Sequence, residues 1–223
     1  MSELRKDRAT NRWCIIAPGR FSRPGRVKED DKGKEAKQPE KKCPFCPGME
    51  DMTPATIRHY IKDGKWALRV VANKYPALSI EVAKAGQSLK QQKTGVHIKL
   101  PGFGAHEVII DTASHGKYFA DFTNDEANDL FWAFRERIAD LRSDPRFNYI
   151  LIFRNEGETA GASLEHSHCQ LIGLPVVPPL IQWEIEIAER FYDEEGTCVY
   201  CEIIKQELES GERVFFKNPS VIN

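Results

Sequence analysis

The chain has 223 residues, with 32 Lys and Arg against 33 Asp and Glu, a net charge of −1. Hydrophobic residues at 41% and charged residues at 29% make it too apolar and too balanced for a disordered chain. Near-zero charge gives no general reason to bind nucleic acid, and no apolar run approaches the ~20 residues of a membrane span. The start, MSELRKD, has no apolar leader core, so a cytoplasmic protein acting on something small is expected.

From the N-terminus, residues 13–18 (WCIIAP) predict a short strand in which Cys14 is a small core residue. Residues 19–26 are a basic turn region. Residues 27–42 carry no apolar period and read as a solvated loop. The pair Cys43-Pro-Phe-Cys46 follows at once. Residues 66–72 predict a strand, 73–76 a turn, 84–99 a loop or hairpin, and 106–111 another strand.

The clearest helix runs from Asn124 to Arg142. Thr123 can cap it, Glu126 completes a capping box, and Leu130, Phe131, Phe134, Ile138 and Leu141 keep helical spacing. Residues 147–153 predict a buried strand. A glycine-containing loop, 155–163, leads to a last strand over 164–174, and 181–192 predict a second helix. A new unit starting at Thr197, with Cys198-Val-Tyr-Cys201 at its head, should hold one strand. Strands outnumber helices, so the expected class is α+β: a mainly antiparallel sheet with helices packed on it. The expected domains are residues 1–194 and 195–223.

Six cysteines, four of them in the two C-x-x-C pairs, point to metal or redox chemistry in a chain without a secretory leader. The charged loop before Cys43 and the Pro-Gly after Cys46 are poor context for a redox pair opening a helix. Two thiolates supply half of a structural zinc site. Among the histidines, His59 and His97 lie in polar contexts and read as exposed. His106 opens a strand and reads as a core or sheet-edge residue. His115, in a turn after a strand, and His166 complete the set Cys43, Cys46, His115 and His166.

The most informative stretch is Ser163-Leu-Glu-His166-Ser-His168-Cys-Gln170. On a strand, His166, His168 and Gln170 alternate onto one face, which then needs water, a metal or a ligand. Gly157, Gly161 and Ser163 just before them let backbone N–H groups and a hydroxyl approach an anion. Neutral imidazole beside a phosphate can attack phosphorus and leave again, and a neighbouring glutamine can donate to a phosphoryl oxygen without competing as nucleophile. Metal-bound His166 would then anchor the strand that aims His168.

These residues sit in pieces that together resemble the galactose-1-phosphate uridylyltransferase family of the histidine-triad superfamily, including its ADP-glucose phosphorylase-like branch. The pieces are RKDRATNRWCIIAPGRFSRP, KKCPFCPG, LRVVANKYPAL, GAHEVIIDTASH, IFRNEGETAGASLEHSHCQLIGLPVVPP and CVYCEI. The resemblance implies a histidine-triad-like fold and double displacement, with His168 as the nucleophile carrying the nucleotidyl group and Gln170 on its phosphoryl oxygens. It implies Zn2+ at Cys43, Cys46, His115 and His166. Phosphate and sugar contacts fall on Asn155, Gly161 and Ser163, and base or ribose contacts on Arg20, Arg23 and Asn73. It further implies a homodimer whose partners are a nucleotide sugar and a hexose 1-phosphate or phosphate.

Family members continue into a second related half, of which residues 198–223 resemble only the opening. Cys198 and Cys201 match a second metal site that no later histidine completes in this chain. The leading expectation is transfer of UMP between UDP-glucose and galactose 1-phosphate. The alternatives are an ADP-glucose phosphorylase, nucleotide hydrolysis, or a truncated zinc-stabilised remnant that binds nucleotides without transferring them.

Overall fold

The computed structural model describes residues 2–22, 43–84 and 89–218. It divides into two compact units, Met1–Val176 and Val177–Asn223. The division falls ahead of the second long helix, whereas the sequence reading placed it after that helix.

The first unit carries two antiparallel sheets. Strands β1 (Glu3–Lys6), β2 (Trp13–Ile16), β5 (Gln92–Thr94) and β6 (His97–Pro101) form the smaller, in the order β2-β1-β6-β5. The larger contains β3 (Thr56–Lys62), β4 (Lys65–Ala72), β7 (Ala105–Ile110), β8 (Tyr149–Phe153) and β9 (His168–Leu174), in the order β3-β4-β7-β9-β8. All its pairings are antiparallel. A short turn of helix, α1 (Glu81–Lys84), follows β4. Cys14 corrects an expectation: on the edge strand β2 it points outward and is exposed, while Trp13 and Ile15 face the cluster around Leu4, Leu78 and Leu100.

The long helix α2 (Asn124–Arg142) forms where the pattern placed it. Thr123 Oγ1 accepts from the Glu126 N–H, and Glu126 reaches back to the Thr123 N–H at 2.8 Å, so two orphan donors of the first turn are satisfied together. Its Leu130, Ala133 and Leu141 bury against Leu68, Val70, Ile109, Cys169 and Leu171 of the larger sheet. Burying a leucine-sized side chain contributes roughly 1.5–3 kcal/mol, so this layer is a main source of stability. A bidentate pair, Arg137 Nε and Nη2 to the Glu107 carboxylate at 2.8 and 2.7 Å, joins α2 to β7 within the buried region.

The alternation along β9 positions the site. Cys169 and Leu171 pack toward α2, so His168 and Gln170 fall on the opposite face. That face is floored by Val71, Val108, Ile110 and Phe45. The strand begins at His168, four residues later than the sequence suggested. Before it, side chains take over from the ladder: the Ser167 hydroxyl bonds Asp111, and His166 turns its ring to the Thr112 carbonyl.

The second unit holds α3 (Pro179–Glu195) and α4 (Val199–Ser210), each closed by a glycine in the left-handed region, Gly196 at φ 70° and Gly211 at φ 68°. The expected strand after Cys201 is replaced by α4. Tyr200, Ile203, Ile204 and Leu208 recur at helical spacing, which outweighs the strand propensity of the individual residues.

Candidate active site and metal centre

Cys43 and Cys46 lie in one turn, closed by the Cys46 N–H donating to the Cys43 carbonyl at 3.1 Å. His115 comes from the turn after β7 and His166 from the segment entering β9. The four ligand atoms all lie within 4.8 Å of one another. Sulfur-to-Nδ1 separations are 3.7 Å for Cys43–His166, 3.6 Å for Cys46–His166 and 3.4 Å for Cys46–His115. Tetrahedral zinc with ordinary Zn–S and Zn–N bonds of ~2.3 and ~2.05 Å requires an S···N edge of about 3.5 Å. These three edges match that size and the others stay within 4.8 Å, so the set fits the ion.

The electrostatics agree. Burial holds His166 below the usual imidazole range, with His115 and His168 adding to the effect, so it is neutral as a ligand must be. Burial and the Cys43 sulfur push the Cys46 thiol up, so a cation is needed to keep the Cys46 sulfur a thiolate. His166 Nε2 donates to the Thr112 carbonyl at 2.8 Å, which leaves Nδ1 as the metal-facing atom.

His168 is set by the same segment. Its Nδ1 donates to the His166 carbonyl at 2.8 Å; a carbonyl can only accept, so the lone pair of the neutral ring is on Nε2. Phe45 meets the ring edge-on at 5.3 Å. His168 lines a cavity of about 500 Å³, together with Asn73, Tyr75, Ser163, Gln170 and Met52. That is within the usual small-molecule range of ~300–1,000 Å³. An imidazole lone pair, a carboxamide and a hydroxyl thus face one partly apolar space, an arrangement that can take a nucleoside phosphate and attack it.

The remaining expected contacts are placed less uniformly. Arg20 donates from its guanidinium to the carbonyl of cavity-lining Tyr75. Asn155 and Gly161 belong to the loop ahead of β9, where Gly157 and Gly161 both adopt φ 80°, but neither Asn155 nor Gly161 is among the cavity's lining residues. Arg23 lies outside the described residues. His59 and His97 are exposed, as expected. Cys198 and Cys201 are exposed in the second unit, Cys198 at the N-cap of α4; no group able to hold a metal includes them among the described residues.

One group was not singled out from the sequence, and one was read only as a core or sheet-edge residue. Asp111, just past β7, accepts from the Ser167 hydroxyl and the Cys169 N–H at 3.1 and 3.2 Å and pairs with Arg154. It pins both ends of the turn that presents His168. Burial pushes its carboxyl up to about 6, against the attraction of Arg154. His106 is buried in β7 with its ring beside Gln170 and Asn73. No residue pattern announces Asp111, whose partners lie far away in the chain; His106 is the core residue expected, but its contact with Gln170 is not announced.

Residues 1–178 match the family described as galactose-1-phosphate uridyl transferase, N-terminal domain. The chain is 38% identical over 204 residues to the ADP-glucose phosphorylase of Arabidopsis thaliana, covering 90% of this chain and 56% of that protein. It is 27% identical over 210 residues to the galactose-1-phosphate uridylyltransferase of Thermotoga maritima, covering 94% and 58%. A crystal structure of the Arabidopsis thaliana ADP-glucose phosphorylase with bound ADP-glucose superposes with a TM-score of 0.63 at 33% identity, covering 91% of this chain and 58% of that one. The chain thus spans somewhat over half the length of these relatives. No helix among the described residues is long and apolar enough to cross a membrane.

Proposed function

We propose, from the premise that this chain belongs to the galactose-1-phosphate uridyl transferase family, that it transfers a nucleotidyl group through a covalent bond to His168. The observation that carries this reading is the His168 ring itself: Nδ1–H is tied to the His166 carbonyl and the ring lines the cavity. In the first step the Nε2 lone pair attacks the α-phosphorus of a nucleotide sugar. The bond from that phosphorus to the bridging oxygen breaks, and glucose 1-phosphate leaves with the bonding pair. The ring then carries a positive charge, which the His166 carbonyl stabilises through the Nδ1 proton. In the second step an oxygen of the acceptor attacks the same phosphorus and the N–P bond breaks, restoring neutral imidazole.

Gln170 donates to a non-bridging oxygen, where charge grows in the transition state. Ser163 and the loop of Gly157 and Gly161 contribute further donors, Asn155 contacts phosphate or sugar, and Arg20, Arg23 and Asn73 contact base or ribose. Zinc at Cys43, Cys46, His115 and His166 would be structural, its chemistry limited to holding the segment that fixes the His166 carbonyl. The wider proposal includes a cytoplasmic homodimer.

The 38% identity to an ADP-glucose phosphorylase, against 27% to a uridylyltransferase, favours ADP-glucose as donor and phosphate as acceptor, with ADP as second product. UDP-glucose with galactose 1-phosphate is the second reading. Incubation with ADP-glucose and UDP-glucose in parallel, followed by intact-mass measurement, tests both. We expect an acid-labile adenylyl adduct, released by phosphate and absent from His168→Ala. A uridylyl adduct alone selects the second reading. Tight nucleotide binding by calorimetry with no adduct from either donor contradicts transfer and identifies a binding remnant.

A further inference from the structure

We propose that His106 is a positioning residue that fixes which end of the Gln170 carboxamide faces the cavity. Three short contacts meet at its ring. The backbone N–H of Ala77 points at His106 Nδ1 at 2.9 Å. A backbone amide can only donate, so Nδ1 is unprotonated and the neutral ring carries its proton on Nε2. That Nε2 lies 3.0 Å from Gln170 Oε1. The Asn73 carboxamide is oriented independently, because its Oδ1 accepts from the Tyr75 N–H at 2.8 Å. Its Nδ2 is therefore the atom that approaches Gln170 Oε1, at 3.5 Å; its 3.0 Å separation from His106 Nε2 is then a contact between two donors that share that oxygen, not a hydrogen bond between them.

Two donors, one from His106 and one from Asn73, thus converge on the same side-chain oxygen. Gln170 Oε1 is held between β7 and the turn after β4, and its NH2 group is the end left for the cavity that Gln170 and Asn73 both line. A carboxamide rotated by half a turn would set its NH2 against two other donors and turn its oxygen toward the ligand. Such an oxygen would repel a phosphoryl group, whereas the NH2 donates to it. The chain of constraint runs from a main-chain N–H through one imidazole to the side chain two positions beyond His168. It depends on the proposed nucleotidyl transfer only for what the NH2 group touches.

Two readouts separate this idea from that of transfer. Long-range 1H–15N spectra of the full chain without nucleotide, with the His106 signal identified by its loss in His106→Gln, should show protonated Nε2 and unprotonated Nδ1. A proton on Nδ1, or a doubly protonated ring at neutral pH, overturns the proposal whether or not the protein is an enzyme. The second readout is the single-turnover rate of adduct formation with ADP-glucose or UDP-glucose. His106→Asn keeps an acceptor near the Ala77 N–H but cannot reach Gln170. It should slow the step by about 10- to 100-fold, the range typical when an outer-shell partner is removed, with little change in the half-saturating donor concentration. His106→Gln places an NH2 near the original Nε2 and should recover most of the rate. A His106→Asn rate equal to wild type, or a folded His106→Gln no faster than His106→Asn, contradicts the assignment. If His106→Asn does not fold, the wild-type tautomer and the His106→Gln rate still decide it. No adduct on the wild-type protein refutes transfer alone, and the tautomer then decides the His106 assignment.

Discussion

A single backbone carbonyl, that of His166, connects the candidate metal centre to the proposed nucleophile's ring. The His166 side chain turns toward Cys43, Cys46 and His115, while its carbonyl takes the Nδ1 proton of His168. Removing the metal should therefore disturb both. Dialysis against a strong chelator is expected to release one zinc per chain, lower the melting temperature and abolish adduct formation together, with Cys43→Ser behaving alike; melting unchanged after verified metal loss contradicts the assignment. Asp111 makes a pH prediction. Its carboxyl is raised from an ordinary value near 3.8 to about 6, so the folded state binds that proton more tightly than the unfolded chain. Its contribution is present below the unfolded value and is lost as pH rises toward 6. Urea midpoints of wild type and Asp111→Asn, compared at pH 4 and pH 7, should differ in pH dependence by that sign. The His-x-His-x-Gln run and the Cys43/Cys46 pair were legible in the sequence because each clusters within a few residues, whereas His115 was chosen by its place in a turn after a strand. Asp111 was not, since register alone brings it to Cys169; His106 was legible as a core or sheet-edge residue, but its contact with Gln170 was not, for the same reason.

At the level of elements, β9 is the piece that both core and site depend on. Leu171 is fully buried against α2, so Leu171→Ala should cost about 2–5 kcal/mol in chemical denaturation; a loss well under 1 kcal/mol would show that this layer is not packed as described. Glu107→Ala leaves the largely buried Arg137 guanidinium with the exposed Asp140 as its remaining ion-pair partner and should cost up to about 3–5 kcal/mol, whereas replacing both Glu107 and Arg137 by apolar residues of similar size should recover much of it. Helix α2 was readable to its ends because its capping box, apolar spacing and terminating Ser-Asp-Pro agree. Strands β1 and β3 were missed because charged and polar residues break their alternation, and in β3 most side chains are exposed, whereas β5 and the start of β6 supply the hairpin expected within residues 84–99. After Cys201 the expected strand missed the helical spacing of Tyr200, Ile203, Ile204 and Leu208.

On the scale of the whole molecule, the described chain combines a first unit carrying the cavity and the candidate metal centre with a second unit of two helices. The helices of the second unit have no buried residue, and Leu180, Trp183, Ile185, Tyr200 and Ile203 are exposed. Apolar surface of this kind favours association. Sedimentation velocity on the 223-residue chain should show a weight-average mass that rises with concentration and falls when Trp183 and Ile203 are replaced by Ser; a monomer at all concentrations contradicts this. The most direct measurement for the account as a whole is peptide mapping of protein quenched within one turnover with ADP-glucose or UDP-glucose. The account predicts a nucleotidyl mass on the peptide spanning Glu165–Gln170, localised by fragmentation to His168. The same mass on any other side chain, or turnover with no modified peptide, would contradict it.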